Sequence, residues 1–149
     1  MKLSVIIPIY NEAATCSLLI EKVKLIPIQK QIIVVDDCST DGSGGILKGI
    51  GDIELIRHQV NRGKGSAVQT ALTHIKGDFV VLQDGDLEYN PADYERMLSQ
   101  LENDSADVVY GSRWLGKTSS LSYHTVGNRF ITWFSNRVTG AALTDMTSC

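Results

Sequence analysis

The segment Asp84-Gly85-Asp86-Leu87-Glu88 sets three carboxylates at alternate positions directly after an apolar run. If that run is a strand that continues into the segment, residues i, i+2 and i+4 share one face. Three like charges held so close are costly unless a cation balances them. Hard oxygen ligands suit Mg²⁺ or Mn²⁺, and magnesium commonly bridges one or two protein carboxylates to substrate phosphates. A solvated acidic turn is the alternative, because Asp-Gly is a common turn dipeptide.

Asp36-Asp37, after Val34-Val35, is a second acidic pair at a strand end. Ionised carboxylates there can read a base N–H or ribose hydroxyls. By itself the pair reads more readily as a capping or Asx turn, with Ser39, Thr40 and Asp41 beside it. Asn61-Arg62-Gly63-Lys64-Gly65-Ser66-Ala67 opens a helix with two glycines and two cations. Such an N-terminus favours anions, although an ordinary strand-to-helix loop fits as well.

Several chemistries are disfavoured. The phosphate-cradling spacing G-x-x-x-x-G-K-S/T is absent, and no G-x-G-x-x-G follows the first strand, which counts against P-loop ATPases and nicotinamide-dependent dehydrogenases. There is no G-x-S-x-G elbow for a serine hydrolase, nor, after the first strand, a glycine-rich, arginine-containing loop of the kind expected in a nucleotidyltransferase. His58, His74 and His124 lie far apart without ligand spacing and read as surface or structural. Cys38 has no evident partner base and reads as an inert thiol.

The elements that position these groups follow from hydrophobic pattern. Leu3–Ile9, Gln31–Val35, Ile53–Ile56, Phe79–Leu82 and Ala106–Tyr110 read as strands. Asn11 is expected to cap a helix over about 12–24 with Ala14, Leu18, Leu19 and Val23 on one face. A weakly helical, glycine-rich stretch follows residue 42. Residues 64–75 are predicted helical with Ala67, Ala71, Leu72 and Ile75 inward, and Pro91 suits the start of a helix reaching about Leu101. Alternation of strands and helices predicts an α/β fold, a mostly parallel sheet with helices on both faces. Ligands bind beyond the carboxyl ends of such strands, so the junctions at 10–12, 36–41, 84–88 and 111–113 should converge. No linker, repeat or low-complexity tract interrupts the chain, which reads as one domain over 1–149.

The 149 residues, 43% hydrophobic and 21% charged, exclude a disordered tail, and no apolar run approaches the ~18 residues of a membrane span. The first residues are too short an apolar run for a signal peptide, and three cysteines without metal spacing fit a reduced, cytoplasmic setting. The net charge of −3 is uneven: residues 1–109 carry 10 basic and 16 acidic side chains, residues 110–149 carry 4 basic and 1 acidic. No nucleic-acid partner is expected of the acidic part. The basic part suits an anionic ligand or a membrane surface. Residues 126–138 place Val126, Phe130, Trp133, Phe134 and Val138 on one predicted helical face beside Arg129 and Arg137. A core helix is the commoner reading of such a face, but the arginines and Trp133 favour peripheral seating at the membrane.

In order along the chain, Val5-Ile6-Ile7-Pro8-Ile9-Tyr10-Asn11-Glu12, Val34-Val35-Asp36-Asp37-Cys38-Ser39-Thr40-Asp41-Gly42, Asn61-Arg62-Gly63-Lys64-Gly65 and Gln83-Asp84-Gly85-Asp86-Leu87-Glu88-Tyr89-Asn90-Pro91 resemble a family 2 glycosyltransferase with the GT-A fold. Gly111-Ser112-Arg113, Gly127-Asn128-Arg129 and Asp145-Met146-Thr147-Ser148-Cys149 resemble the dolichyl- or polyprenyl-phosphate mannosyltransferase group within it. The resemblance implies a nucleotide-sugar donor, a GDP- or UDP-hexose, bound by Pro8, Tyr10, Asn11, Glu12, Val35, Asp37, Lys64, Asp84, Gly85 and Asp86. It implies Mg²⁺ or Mn²⁺ on Asp84, Asp86 and Glu88, with Gly85 allowing close approach, and catalytic roles for Asp84, Asp86 and Arg113. Arg113 and Arg129 match cations that face the acceptor or donor phosphates, the acceptor being a polyprenyl phosphate. In that group the Thr-Ser-Cys segment continues further, so a chain truncated on its acceptor side is expected. The implied reaction is inverting transfer of mannose or glucose. The alternatives are a nucleotide-sugar-binding module without catalysis, and a transferase acting on a sugar hydroxyl, for which Asp145 would be the base.

Overall fold

The computed structural model describes residues 2–102, 106–112 and 123–145. The chain divides into two compact units, Met1–Tyr94 and Glu95–Cys149. In the first, β1 (Leu3–Ile9), α1 (Cys16–Leu25), β2 (Lys30–Asp36), α2 (Ser43–Lys48), β3 (Glu54–Arg57), α3 (Lys64–Leu72) and β4 (Phe79–Leu82) follow one another. The four strands form one parallel sheet in the order β3-β2-β1-β4. The strands are short, and the two central ones, β1 and β2, are rich in β-branched residues and buried on both faces, as parallel strands under crossover helices are, while the edge strands β3 and β4 are only partly covered.

Period-two alternation divides the core. Ile6, Ile33 and Val35 meet Ala67 and Ala71 of α3, all at most 1% exposed. Val5, Ile7, Ile9, Ile32 and Val34 turn to the other face and are also buried. Right-handed crossovers from β1 to β2 and from β2 to β3 run opposite to the return from β3 to β4, which sets α1 and α2 on one face and α3 on the other. Small residues at 67 and 71 let α3 lie close on β1 and β2.

Three local expectations change. Helix α1 begins at Cys16, not 12, because Asn11 is not its cap: its Oδ1 accepts the Thr40 N–H across to the next loop (2.8 Å). The buried stripe is then Cys16, Leu19, Ile20 and Val23, and Ala14 and Leu18 face solvent. Helix α3 ends at Leu72, so Leu72 and Ile75 are exposed while Ala67 and Ala71 are fully buried. The expected strand at 106–110 is not formed among the described residues, and Val108 and Tyr110 are exposed there.

A short 3₁₀ turn (Pro91–Asp93) leads into α4 (Tyr94–Glu102), with Asn90 capping through its side chain to the Ala92 N–H (3.2 Å). The second unit also contains α5 (Tyr123–Thr139). No helix among the described residues is long and apolar enough to cross a membrane.

Candidate functional site

The carboxyl ends of β1, β2 and β4 and the start of α3 surround one cleft in the first unit. Pro8, Tyr10, Glu12, Asp37, Lys64, Asp84, Gly85 and Asp86 line it, together with Ile9 and Ala67. The structure thus brings together most of the expected donor residues. It does not bring Val35, which is wholly buried in the core, or Asn11, which points to Thr40. Arg113 lies outside the described residues, and Arg129 is exposed on α5 in the second unit.

The run 36–43 is the hub of the site. Asp36, fully buried, accepts the Ser39 N–H at Oδ1 (2.9 Å) and sets Oδ2 3.1 Å from Arg57 Nε, close enough for charge pairing but off the axis of a hydrogen bond. A Cβ on Gly44 would fall 2.7 Å from that Oδ2, so α2 can pass only as glycine there. Ser39 Oγ accepts the Asn11 N–H (3.0 Å), Ser43 Oγ the Glu12 N–H (2.9 Å) and Asp41 Oδ2 the Ala13 N–H (2.9 Å). The β1–α1 loop carrying Tyr10 and Glu12 is therefore clasped by polar side chains of the next loop. Hydrogen bonds from the Ser43 hydroxyl first, then from the Ser43 and Ala13 N–H groups, hold the Asp41 carboxyl below its usual range.

Asp37 serves the opposite side. Its carboxylate accepts the Arg62 N–H (2.9 Å to Oδ1), the Gly63 N–H (2.7 Å to Oδ2) and His58 Nδ1–H (2.7 Å to Oδ1). Burial alone would push this carboxyl up. The Arg62 N–H, the His58 bond and the Gly63 N–H outweigh it and hold the group below its usual range. Part of the anion-attracting potential ahead of α3 is thus already met by Asp37. His58, read from sequence as surface or structural, is buried and also 2.9 Å from Thr70 Oγ1 on α3, and its place beside Asp37 is what sequence reasoning missed. The signal was in the register: Asp36 pairs with Arg57, so the acidic pair at the end of β2 faces the basic pair 57–58 at the end of β3.

At the acidic segment the expectation of strand alternation is corrected. β4 ends at Leu82 and the chain turns, with Leu87 at φ +65° and the Glu88 N–H donating to Asp86 Oδ1 (3.0 Å). A left-handed φ on leucine breaks the period of two. Asp84 and Asp86 therefore line the cleft, whereas Glu88 is exposed and not among its lining residues. Among the described residues no group of three or more His, Cys, Asp or Glu is arranged to hold a metal. A pair of carboxylates still suits magnesium or manganese, which commonly take one or two from the protein and the rest from phosphates and water. Lys64 Nζ pairs with Asp84 Oδ1 (2.5 Å), so a cation already meets this carboxylate.

Gly85 is fixed by its own neighbours within the chain. A Cβ there would lie 2.7 Å from Ile9 Cδ1 and 3.2 Å from Glu12 Cγ, so the close approach is to the β1–α1 loop. Behind the turn, buried Gln83 receives the Tyr94 hydroxyl (2.7 Å) and donates to the carbonyls of Asp84 and Tyr89, which anchors both ends of the acidic segment.

Known proteins are similar to this chain in sequence and fold. The family described as glycosyl transferase family 2 matches residues 4–146. An undecaprenyl-phosphate 4-deoxy-4-formamido-L-arabinose transferase from Yersinia enterocolitica is 31% identical over 97% of this chain and 46% of its own. A dodecaprenyl-phosphate galacturonate synthase from Rhizobium johnstonii is 29% identical over 97% of this chain and 45% of its own. The chain spans about half the length of these relatives. Among solved structures, the mannosyltransferase PcManGT from Pyrobaculum calidifontis, in complex with GDP-Man and Mn²⁺, superposes with a TM-score of 0.55 at 30% identity, covering 61% of this chain and 29% of that one.

Proposed function

Since the chain belongs to glycosyl transferase family 2, we propose that it moves a sugar, with inversion, from a nucleoside diphosphate carrier to a polyprenyl phosphate. The observation that carries the reading is the single cleft in which Tyr10, Asp37 and Lys64 meet the acidic pair Asp84 and Asp86. The GT-A arrangement of the sheet and the names of the relatives support it. Asp84 and Asp86 would hold Mg²⁺ or Mn²⁺, which when bound neutralises charge on a departing diphosphate. The Mn²⁺ complex of PcManGT is consistent with that donor set.

The protein's own groups have distinct tasks. Tyr10, about half exposed at the mouth, offers its ring to a base, and Lys64 offers a cation to the diphosphate. A phosphate monoester acceptor is already largely ionised near neutral pH, its second pKa being ~6. It needs cations to position it rather than a strong base, which is the role proposed for Arg129 and Arg113. The relatives carry different sugars, an aminoarabinose derivative and galacturonate, so mannose or glucose is the finer part of the proposal.

A membrane partner is supported by α5. Phe130, Ile131, Trp133, Phe134 and Val138 are each at least 48% exposed, the reverse of a core helix, and Arg129 and Arg137 lie among them. Such a helix suits the interface of an anionic bilayer. The test is incubation with UDP- and GDP-hexoses, Mn²⁺ or Mg²⁺ and a short polyprenyl phosphate in anionic vesicles, with lipid-linked sugar detected by mass spectrometry. Transfer is expected from at least one donor. Failure to bind any nucleoside diphosphate in the presence of metal overturns the reading.

A further inference from the structure

His58 occupies a point where three elements meet. Its backbone N–H extends the sheet by donating to the Asp36 carbonyl (2.9 Å), which fixes the ring beside Asp37. Asp37 can only accept, so Nδ1 carries the proton in that 2.7 Å bond. The other nitrogen faces Thr70 Oγ1, whose hydroxyl can donate or accept and so satisfies the ring in either charge state. Asp37 in turn receives the two consecutive N–H groups of Arg62 and Gly63, immediately before Lys64. A carboxylate on a short stem can swing about two side-chain bonds. The imidazole, braced on α3, removes that freedom.

We infer that His58 is a positioning residue for the nucleotide: it fixes the Asp37 carboxylate, and through it the 61–63 backbone and the Lys64 ammonium that meets Asp84 in the cleft. The inference rests on the donor reading of that cleft. It assigns His58 no contact with substrate, only the orientation of groups that have one. A ring that merely fills space would behave differently, and the two amide variants separate these roles. His58→Asn places an amide nitrogen near the position of Nδ1 and keeps the donor to Asp37. His58→Gln, the larger of the two, reaches instead toward Thr70 and loses it.

Two readouts apply to the wild-type chain and both variants: hydrogen exchange of the Arg62 and Gly63 amides without ligand, and calorimetric affinity for UDP and GDP with Mn²⁺. Losing a hydrogen bond to a charged group makes the expected loss in His58→Gln about tenfold or more in affinity, with protection of both amides reduced. His58→Asn should remain within about threefold and keep the protection. Equal behaviour of the two variants, or better retention in His58→Gln, overturns the inference in favour of packing. If the wild-type chain binds neither nucleotide, the donor reading fails, and the amide protection still decides whether His58 holds the loop. Should His58→Gln not fold, Thr70→Val removes only the Nε2 partner. A partial loss of protection at the same two amides then supports the inference, and unchanged protection overturns it.

Discussion

Two acidic stretches border the same cleft and are used in opposite ways. Along 36–41 the carboxylates are taken up by the protein: Asp36 by Ser39 and Arg57, Asp37 by His58, Arg62 and Gly63, Asp41 by Ser43 and Ala13. Asp36 and Asp37 are buried, and what they build is the relative placement of three loops. Along 84–86 the carboxylates face the cleft: Asp84 meets Lys64, and Asp86 is exposed with the Glu88 N–H on one oxygen. A carboxylate offers about four acceptor sites, so Asp86 keeps capacity for a cation that Asp37 has largely spent. Acidic residues at strand ends are therefore not one class. Those filled by N–H groups of their own chain hold loops in place, and Asp86, with acceptor capacity remaining at the cleft, is the one the proposed function draws on for a cation.

The largest expected effect follows from the open side. Asp86→Ala should reduce Mn²⁺-dependent binding of UDP or GDP by more than about a hundredfold, since on the proposed function it removes one of two protein ligands from an ion that takes few. Only a local turn bond to Glu88 is lost with it, so the thermal midpoint should scarcely move. Calorimetry and thermal unfolding on the same sample check both halves. Metal-dependent affinity equal to wild type would break the contrast with Asp37.

Asp37→Ala should show the reverse balance. It strands two backbone N–H groups and the His58 ring, so unfolding free energy should fall by about 1.5–3 kcal/mol, the worth of hydrogen bonds to a charged acceptor. Nucleotide affinity should weaken through the displaced 61–63 loop, with its dependence on metal retained. Urea unfolding that leaves stability unchanged would place Asp37 with Asp86 instead.

The acid limb of stability sharpens the same distinction with a smaller effect. Asp37 is held below its usual range in the folded chain, so it binds fewer protons there than when unfolded. Its contribution is present above the unfolded value of ~3.9 and is lost as pH falls through the lower folded value. Asp37→Asn should therefore flatten the fall in stability below about pH 4 relative to wild type, as followed by urea unfolding at stepped pH.

What the sequence made legible follows the same division. The sheet, its parallel order and the gathering of Pro8, Tyr10, Asp37, Lys64 and Asp84–Asp86 at the strand ends follow from β-branched runs that can be buried only in one way. The turn reading of Asp36 was equally available, because side chains that bond their own backbone act locally. Asn11 was misread as a helix cap because its partner, Thr40, is 29 residues away, and no periodicity encodes that contact. The shared face of Asp84, Asp86 and Glu88 was misread because alternation assumes extended backbone, and Leu87 is not extended. His58 was legible only once the register of β2 against β3 was known, since the acidic and basic pairs are complementary across strands rather than along the chain.

The smallest effect tests where the open side ends. The alternation of Asp84, Asp86 and Glu88 would make Glu88 a third ligand if the strand continued, but the turn at Leu87 carries it out of the lining of the cleft. Glu88→Gln removes a charge while keeping a carbonyl oxygen of the same reach. If the geometry of the turn holds with nucleotide bound, metal-dependent affinity should stay within about threefold, the scale of a surface substitution. The residual change should be electrostatic, a slight weakening for the cation that fades as salt is raised, because exposed charges more than ~8 Å apart are screened at physiological ionic strength. Calorimetry with Mn²⁺ at two salt concentrations distinguishes this from coordination, in which the loss would exceed tenfold and persist at high salt. That larger loss would mean the segment rebuilds around the ion and that Glu88 belongs with Asp84 and Asp86 after all.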